Sequence, residues 1–229
     1  MTERDSETFS SAYFREGAAY ARFTSRADAE RALLRWYTGM LSLVSGRKGA
    51  DLTAGQLVLE IGCGYGPLLS ALSDRGLRVI GSDISQFALR EIRAHKRNER
   101  LFNADASILP VRDHSVDVIF ALELLEHVPY VPTALREIHR ALSTRGCLVA
   151  TTPNPFGNIL PSFDAWADAT HTSVYSPRRW RKLLKDAGFD QISVTTTVAP
   201  PYIWRFGGIF SRQMRLPIVG PTAVIIARP

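Results

Sequence analysis

Apolar positions along the chain change period several times, and each change marks an element. Ser25-Arg26-Ala27-Asp28 has the form of a capping box, and Ala29, Leu33, Trp36, Met40 and Val44 then recur at helical spacing. The apolar run Val58-Leu59-Glu60-Ile61 breaks into Gly62, Gly64 and Gly66 at alternate positions and resumes as Leu68, Leu69 and Leu72. This predicts a buried strand, a tight turn and an amphipathic helix with Pro67 at its first position. Gly76 suits the end of that helix, and Leu77 to Ser82 reads as a second strand ending in Asp83. A helix opened by Ser85 follows, with Ala88, Leu89 and Ile92 on its inner face. Leu101 to Ala106 contains a short third strand and Val118 to Leu122 the fourth.

Beyond these, Tyr130 to Leu142 reads as a helix with Leu135, Ile138 and Leu142 inward, closed by Arg145-Gly146. Cys147 to Thr151 is the fifth strand, and Thr152-Pro153-Asn154-Pro155 ends it with a turn. The next helix has Ser176 as N-cap, Pro177 at its first position, Trp180, Leu183, Leu184 and Ala187 inward and Gly188 beyond its end. Gln191 to Val198 and Thr222 to Ala227 read as the last two strands. Repeats and low-complexity linkers are absent.

The glycine turn is the feature that points to a ligand. Glycine lets a bound molecule approach the backbone and permits dihedral angles other residues avoid. A pyrophosphate-binding turn needs G-x-G-x-x-G, yet here the third place is Pro67 and the third glycine arrives one residue early, at Gly66. That departure argues against NAD or FAD and for a ligand without phosphates. Asp83, at the tip of the second strand, is placed to accept ribose hydroxyls, or else to cap the following helix.

Glu60 with Gly62, Gly64 and Gly66, spaced E-x-G-x-G-x-G, resembles the first motif of the class I S-adenosylmethionine-dependent methyltransferases. Asp105 and Ala106 match by position and type the place where that family holds adenine, and Leu109 to Asp117 resembles its linking turn. The resemblance runs over residues 55–190. It implies an α/β fold: a Rossmann-like, doubly wound, seven-stranded sheet whose final strand inserts antiparallel between its neighbours. It also implies S-adenosylmethionine as cofactor, with Glu60, Gly62, Gly64, Gly66, Asp83, Ile84, Asp105, Ala106 and Leu122 around it.

Composition adds bounds. A chain of 229 residues fits one domain with a sizeable core. Residues 1–50 are expected to form a helical cap, in which Phe9, Tyr13, Phe14, Tyr20 and Phe23 suit a lid over a ligand cleft, or the cover of a sheet edge. Residues 51–229 form the cofactor-binding domain. The net charge of +6 is mostly scattered arginine, since Lys48, Lys96, Lys182 and Lys185 are the only lysines. Without a compact basic stripe, nucleic acid is not the expected partner. Two cysteines, Cys63 and Cys147, in or beside strands of one sheet fit a reduced, cytoplasmic protein, and the polar N-terminus lacks the apolar core of a signal peptide. No apolar run is long enough to span a bilayer.

Methyl transfer from a sulfonium is one in-line displacement, so the protein must chiefly align donor and acceptor and exclude water. A base is needed when the acceptor loses a proton. Glu123-Leu124-Leu125-Glu126-His127 follows the fourth strand at the cleft mouth, and His171 lies downstream. His127 and His171 are candidate general bases. Glu123, Glu126, His127 and His171 also suit a divalent ion such as Mg²⁺ or Zn²⁺. This pattern resembles ubiquinone-pathway O-methyltransferases and small-RNA 2′-O-methyltransferases, in which an E-x-x-E-H segment and a later histidine meet a metal. The RNA family carries a second histidine where this chain has Val128.

Two insertions are expected to build the acceptor pocket. Residues 154–175 supply Phe156, Phe163, Asp164, Trp166, Asp168, His171 and Tyr175. Residues 199–221 supply Tyr202, Trp204, Phe206 and Phe210 among Arg205, Arg212 and Arg215, a mixture that suits a membrane surface, a lid or a dimer contact. The leading expectation is methylation of a small or lipid-like acceptor, most naturally at oxygen, by a monomer or homodimer. The competing readings are a nucleic-acid methyltransferase, a non-catalytic cofactor-binding regulator and a dehydrogenase.

Overall fold

The computed structural model describes residues 8–16, 25–44, 52–95, 100–156, 168–198, 214–216 and 220–229. Its helices are α1 (Ser11–Glu16), α2 (Arg26–Val44), α3 (Pro67–Ser73), α4 (Gln86–His95), α5 (Val131–Ala141) and α6 (Pro177–Asp186). The strands are β1 (Leu57–Ile61), β2 (Arg78–Asp83), β3 (Arg100–Asn103), β4 (Val116–Leu122), β5 (Leu142–Pro153), β6 (Gln191–Val198), β7 (Met214–Leu216) and β8 (Thr222–Arg228).

The strands form one sheet in the order β3-β2-β1-β4-β5-β8-β6-β7. β3, β2, β1, β4 and β5 run parallel, while β8 inserts antiparallel between β5 and β6. This is the expected seven-stranded sheet with its reversed last strand. A further three-residue strand, β7, extends the edge antiparallel to β6. The strand order reverses direction between β1 and β4, the crevice where ligands bind in open α/β sheets.

β4 shows why both faces are covered. Side chains on a strand alternate between faces. Val118, Phe120 and Leu122 pack with Trp36 and Leu41 of α2, Leu68, Leu69 and Leu72 of α3, and Leu89 and Ile92 of α4. Ile119 and Ala121 pack on the other face with Leu135 and Ile138 of α5 and Trp180 and Leu184 of α6. A strand that is apolar at every position from Val118 to Leu122 therefore requires helices on both sides, which is the doubly wound arrangement.

Caps fix two of these helices. The Ser25 hydroxyl accepts from the Asp28 amide at 3.2 Å ahead of α2. The Ser176 hydroxyl accepts from the Arg179 amide at 3.4 Å ahead of α6, with Pro177 at its first turn. β5 begins earlier than its apolar run indicates, at Leu142 rather than Cys147. Val116 faces Leu142 while Val118 faces Cys147, so residues 143–146 bulge from the ladder. Hydrophobic pattern alone cannot report a polar stretch that continues a strand through an irregularity.

Cys63 and Cys147 are buried and free. No helix of the described residues is long and apolar enough to cross a membrane.

Candidate active site

The carboxyl ends of β1, β2 and β4 converge on the glycine turn. The amides of Gly62 and Cys63 both donate to the Ser82 carbonyl, at 2.7 and 3.0 Å, which ties the turn to β2. Gly62 has φ +74°, and a Cβ there would lie 2.8 Å from the Leu124 Cδ1 beyond β4. The backbone conformation demands glycine, and a Cβ would also push the end of the Leu124 side chain aside. Gly66, with φ 70°, turns the chain into α3.

Asp83 is 7% exposed at the end of β2. Its Oδ2 accepts from the Gly64 amide and its Oδ1 from the Ser85 amide, each at 2.8 Å. Burial pushes this carboxyl above its ordinary range, against the pull of those amide hydrogen bonds. Asp83 thus braces the glycine turn against the start of α4. The helix itself is capped by Ser85, whose hydroxyl accepts from the Ala88 amide at 3.2 Å. Asn103 donates to the carbonyls of Asp83 and Ile84, at 2.8 Å each, and so fixes the β2 tip to β3.

Of the other positions assigned to the cofactor, Glu60 is buried on β1 beside Gly81 and Phe120. Leu122 is buried at the end of β4, Ala106 is buried and Ile84 is half-buried. Asp105 accepts from the amide and hydroxyl of Ser107, at 2.8 and 2.5 Å. All nine positions therefore lie at the same end of the sheet, around the carboxyl tips of β1 to β4.

Across the crevice, the chain leaves β4 through Glu123, a non-glycine residue with φ 49°. Its amide donates to the carbonyl and the hydroxyl of Thr151, at 3.0 and 3.1 Å. A single 3-10 turn, Leu125–His127, follows. Residues 168–175 are strapped onto this turn by their backbone. The amides of Thr172 and Ser173 donate to the Glu126 carbonyl at 2.8 and 2.9 Å, and the Ser173 hydroxyl donates to the Val128 carbonyl at 2.8 Å.

The strap brings the His127 and His171 rings to 4.8 Å between centroids. Nδ1 of His127 lies 2.8 Å from the Thr170 hydroxyl, which itself donates to Asp168 Oδ1 at 2.6 Å. Nε2 of His127 lies 4.0 Å from Glu126 Oε1. One ligand atom each from Glu126, His127 and His171 can be chosen so that all lie within 4.8 Å of one another.

Burial, and then the neighbouring His171, pull the His127 pKa down to about 4, so this imidazole is neutral at pH 7. Burial, and then the charge of Glu123, push the Glu126 carboxyl well above its ordinary range. Although burial opposes it, hydrogen bonds from the Thr170 hydroxyl and amide hold Asp168 below its usual range.

Residues 8–16 touch both sides of this crevice. The Phe9 carbonyl accepts from the Ser85 hydroxyl at 2.5 Å, and the Phe14 carbonyl from the Tyr65 hydroxyl at 3.3 Å. Phe14 packs on Tyr65 and Phe87 at centroid distances of 5.2 and 5.9 Å. Phe9 and Tyr13 meet His127 edge-on at 5.6 and 6.3 Å. The Tyr13 phenol reaches Thr170 and is kept protonated by burial and by the charges of Asp168 and Glu126.

The structure thus joins His127 and His171, which the sequence nominated together. It adds Thr170 and Tyr13, which composition alone could not assign to the same cluster. Phe156 is exposed, and Tyr175 packs edge-on against Trp180 at 5.3 Å. Tyr20, Phe23, Phe163, Asp164, Trp166, Tyr202, Trp204, Arg205, Phe206, Phe210 and Arg212 lie outside the described residues, as does the side chain of Arg215.

A family model described as a methyltransferase domain matches residues 26–194. The chain belongs to the class I S-adenosylmethionine-dependent methyltransferase family. A probable S-adenosylmethionine-dependent methyltransferase of Mycolicibacterium smegmatis is 31% identical over 141 residues, 62% of this chain and 54% of the relative. A ubiquinone biosynthesis O-methyltransferase of Pseudomonas aeruginosa is 35% identical over 109 residues, 44% of this chain and 46% of the relative. The chain spans about half the length of these curated relatives. A Thermotoga maritima S-adenosylmethionine-dependent methyltransferase, a possible histamine N-methyltransferase, superposes with a TM-score of 0.65 at 22% identity, over 92% of this chain and 97% of that one. At that identity the likeness concerns the fold, which in this methyltransferase family is Rossmann-like.

Proposed function

We propose that this protein transfers the methyl group of S-adenosylmethionine to an oxygen of a small or lipid-like acceptor, with His127 receiving the acceptor's proton. The observation that carries this reading is a half-buried, neutral imidazole at the switch-point crevice, its Nδ1 engaged by Thr170 and its Nε2 near Glu126 and His171. The ubiquinone biosynthesis O-methyltransferases among its relatives support oxygen as the target.

Gly62, Gly64 and Gly66 would hold the donor, with Asp83 accepting from its ribose, Asp105 and Ala106 meeting its adenine, and Glu60, Ile84 and Leu122 lining the same cleft. The chemistry balances simply. An acceptor oxygen lone pair attacks the methyl carbon as the C–S bond breaks, and the sulfonium becomes the neutral thioether of S-adenosylhomocysteine. The acceptor's O–H proton passes to Nε2 of His127. An imidazole with a depressed pKa suffices because the oxygen becomes strongly acidic as it acquires the methyl group. Residues 8–16 and the strap exclude water, and the Phe9 and Tyr13 rings hold the imidazole from one side.

The test is to incubate the purified protein with methyl-labelled donor and a panel of phenols, catechols and their amine isosteres. Label on oxygen, abolished in His127→Ala with donor binding intact, is the expected outcome. Label on nitrogen, or full turnover by that variant, would overturn the reading.

A metal-assisted version is supported by the same cluster. Glu126 is buried beside Glu123, and neither of its oxygens forms a well-directed hydrogen bond among the described residues. A carboxylate and two imidazoles fit a borderline ion such as Zn²⁺ better than Mg²⁺. Glu126, His127 and His171 would hold such an ion, which would acidify an acceptor hydroxyl. Turnover that survives chelation, without gain from any single added metal, would remove this version and leave the metal-free one.

A further inference from the structure

We propose that Thr170 and Asp168 are positioning residues that fix His127 in the Nδ1–H tautomer and leave the Nε2 lone pair for the acceptor. This rests on the reading of His127 as the group that receives the proton. A neutral imidazole carries one proton on either nitrogen, and which one is decided by the hydrogen bond made at Nδ1.

The proton inventory gives the assignment. Thr170 has a single hydroxyl proton, and its oxygen lies 2.6 Å from Asp168 Oδ1. Asp168 also accepts from the Thr170 amide at 2.9 Å, as a carboxylate does. An ionised carboxylate has no proton to give, so the hydroxyl must donate to it. The Thr170 oxygen, with two lone pairs, is then an acceptor toward both the Tyr13 phenol and His127, and the 2.8 Å contact at Nδ1 places the imidazole proton there. Nε2 carries the lone pair on the side of Glu126 and His171.

A merely structural role would have the Asp168 carboxylate shape the turn and nothing more. That role predicts lost stability on mutation without a change of tautomer. The positioning role predicts a switch of tautomer, which can be read directly.

The experiment is nitrogen NMR of the full chain with labelled histidine, His127 assigned by comparison with His127→Gln, alongside steady-state kinetics. In the native chain and in Thr170→Ser, His127 is expected as the Nδ1–H form. In Thr170→Val the hydroxyl at Nδ1 is lost while the backbone contact of residue 170 with the imidazole stays, so Nε2–H should become populated beside the native form. With it kcat should fall about 10- to 100-fold, the usual worth of a group that orients a working histidine, while donor KM stays within about twofold. Asp168→Ala frees the hydroxyl to turn toward Nδ1 and should give both tautomers.

An Nε2–H signal in the native chain overturns the proposal, and so does a Thr170→Val variant with unchanged tautomer and turnover. Should Thr170→Val fail to fold, the native and Asp168→Ala spectra decide. Failure of O-methyl transfer with the tautomers as expected would sink the functional reading and leave the positioning intact.

Discussion

Asp83 ends β2 and His127 lies beyond the end of β4, on either side of β1, but they find their partners over different distances. Asp83 meets the amides of Ser85, two residues on, and Gly64, nineteen residues back. His127 meets Thr170 across 43 residues and the rings of Phe9 and Tyr13 from the other end of the chain. The side proposed for the donor is therefore held by backbone within one βαβ unit. The side proposed for the acceptor is assembled by tertiary contact among three separate segments. The first kind of site tolerates few sequences and is fixed by glycines and a carboxylate. The second can change its side chains while the sheet beneath stays the same.

Breaking the acceptor side should leave the donor side working. His127→Ala is expected to lower kcat by about 10²- to 10⁴-fold, the range for loss of a general base, with donor affinity unchanged by calorimetry. The pH profile sharpens this. As pH falls through about 4 the native imidazole gains a proton and loses its lone pair, so the acid limb of kcat/KM belongs near 4. A limb near the ordinary histidine value of about 6.5 would mean that His127 is not the titrating base.

The converse break is Asp83→Ala. It removes the acceptor of two buried amides and the partner proposed for the ribose, and charged hydrogen bonds are worth about 1.5–3 kcal/mol. Donor affinity should fall about 10- to 100-fold in titration with S-adenosylhomocysteine. Turnover at saturating donor should stay closer to native. If kcat falls instead and affinity holds, the division of labour between the two sides is wrong.

These differences also explain what could be read from the residues in order. The unbroken apolar run Val118 to Leu122 announced a buried strand, and the E-x-G-x-G-x-G spacing announced the turn, because strand pattern and glycine geometry are local properties. The Glu123 to His127 segment was recognisable as chemistry. Its partners were not, since nothing at Thr170 signals a distant imidazole, and Tyr13 in isolation is one aromatic among several. Asp168 and Thr170 form a short local turn whose consequence appears only once the strap is laid across the Glu126 carbonyl. The start of β5 escaped for another reason: polar residues at a bulge carry no period.

Gly62→Ala tests whether the two sides meet where β1 and β4 end. The new methyl group would sit 2.8 Å from Leu124 Cδ1 on a backbone with φ +74°. A left-handed alanine costs about 1–2 kcal/mol, and the forced shift of Leu124 adds to it. Denaturant unfolding should show a loss of about 1–3 kcal/mol. Because Leu124 precedes the 3-10 turn that carries His127, kcat should decline as well as donor affinity. An effect confined to affinity would show the turns to be independent.

The smallest expected change falls on the segment that bridges both sides. Tyr65 belongs to the glycine turn, yet its hydroxyl donates to the Phe14 carbonyl in α1, and α1 carries Tyr13 to His127. Tyr65→Phe removes that hydrogen bond and keeps the ring that packs on Phe14, so the cost should be about 0.5–1.5 kcal/mol at most. Global stability should barely move. Amide exchange in residues 8–16 should quicken severalfold, because one of the hydrogen bonds that attach them is lost while the Ser85 contact to Phe9, the Tyr13 contact to Thr170 and ring packing stay. If residues 8–16 act as a lid, the same variant should raise KM for donor and acceptor together. A rise for the donor alone would assign the cap to the cofactor side, and its contact with His127 would then be packing without a part in the reaction.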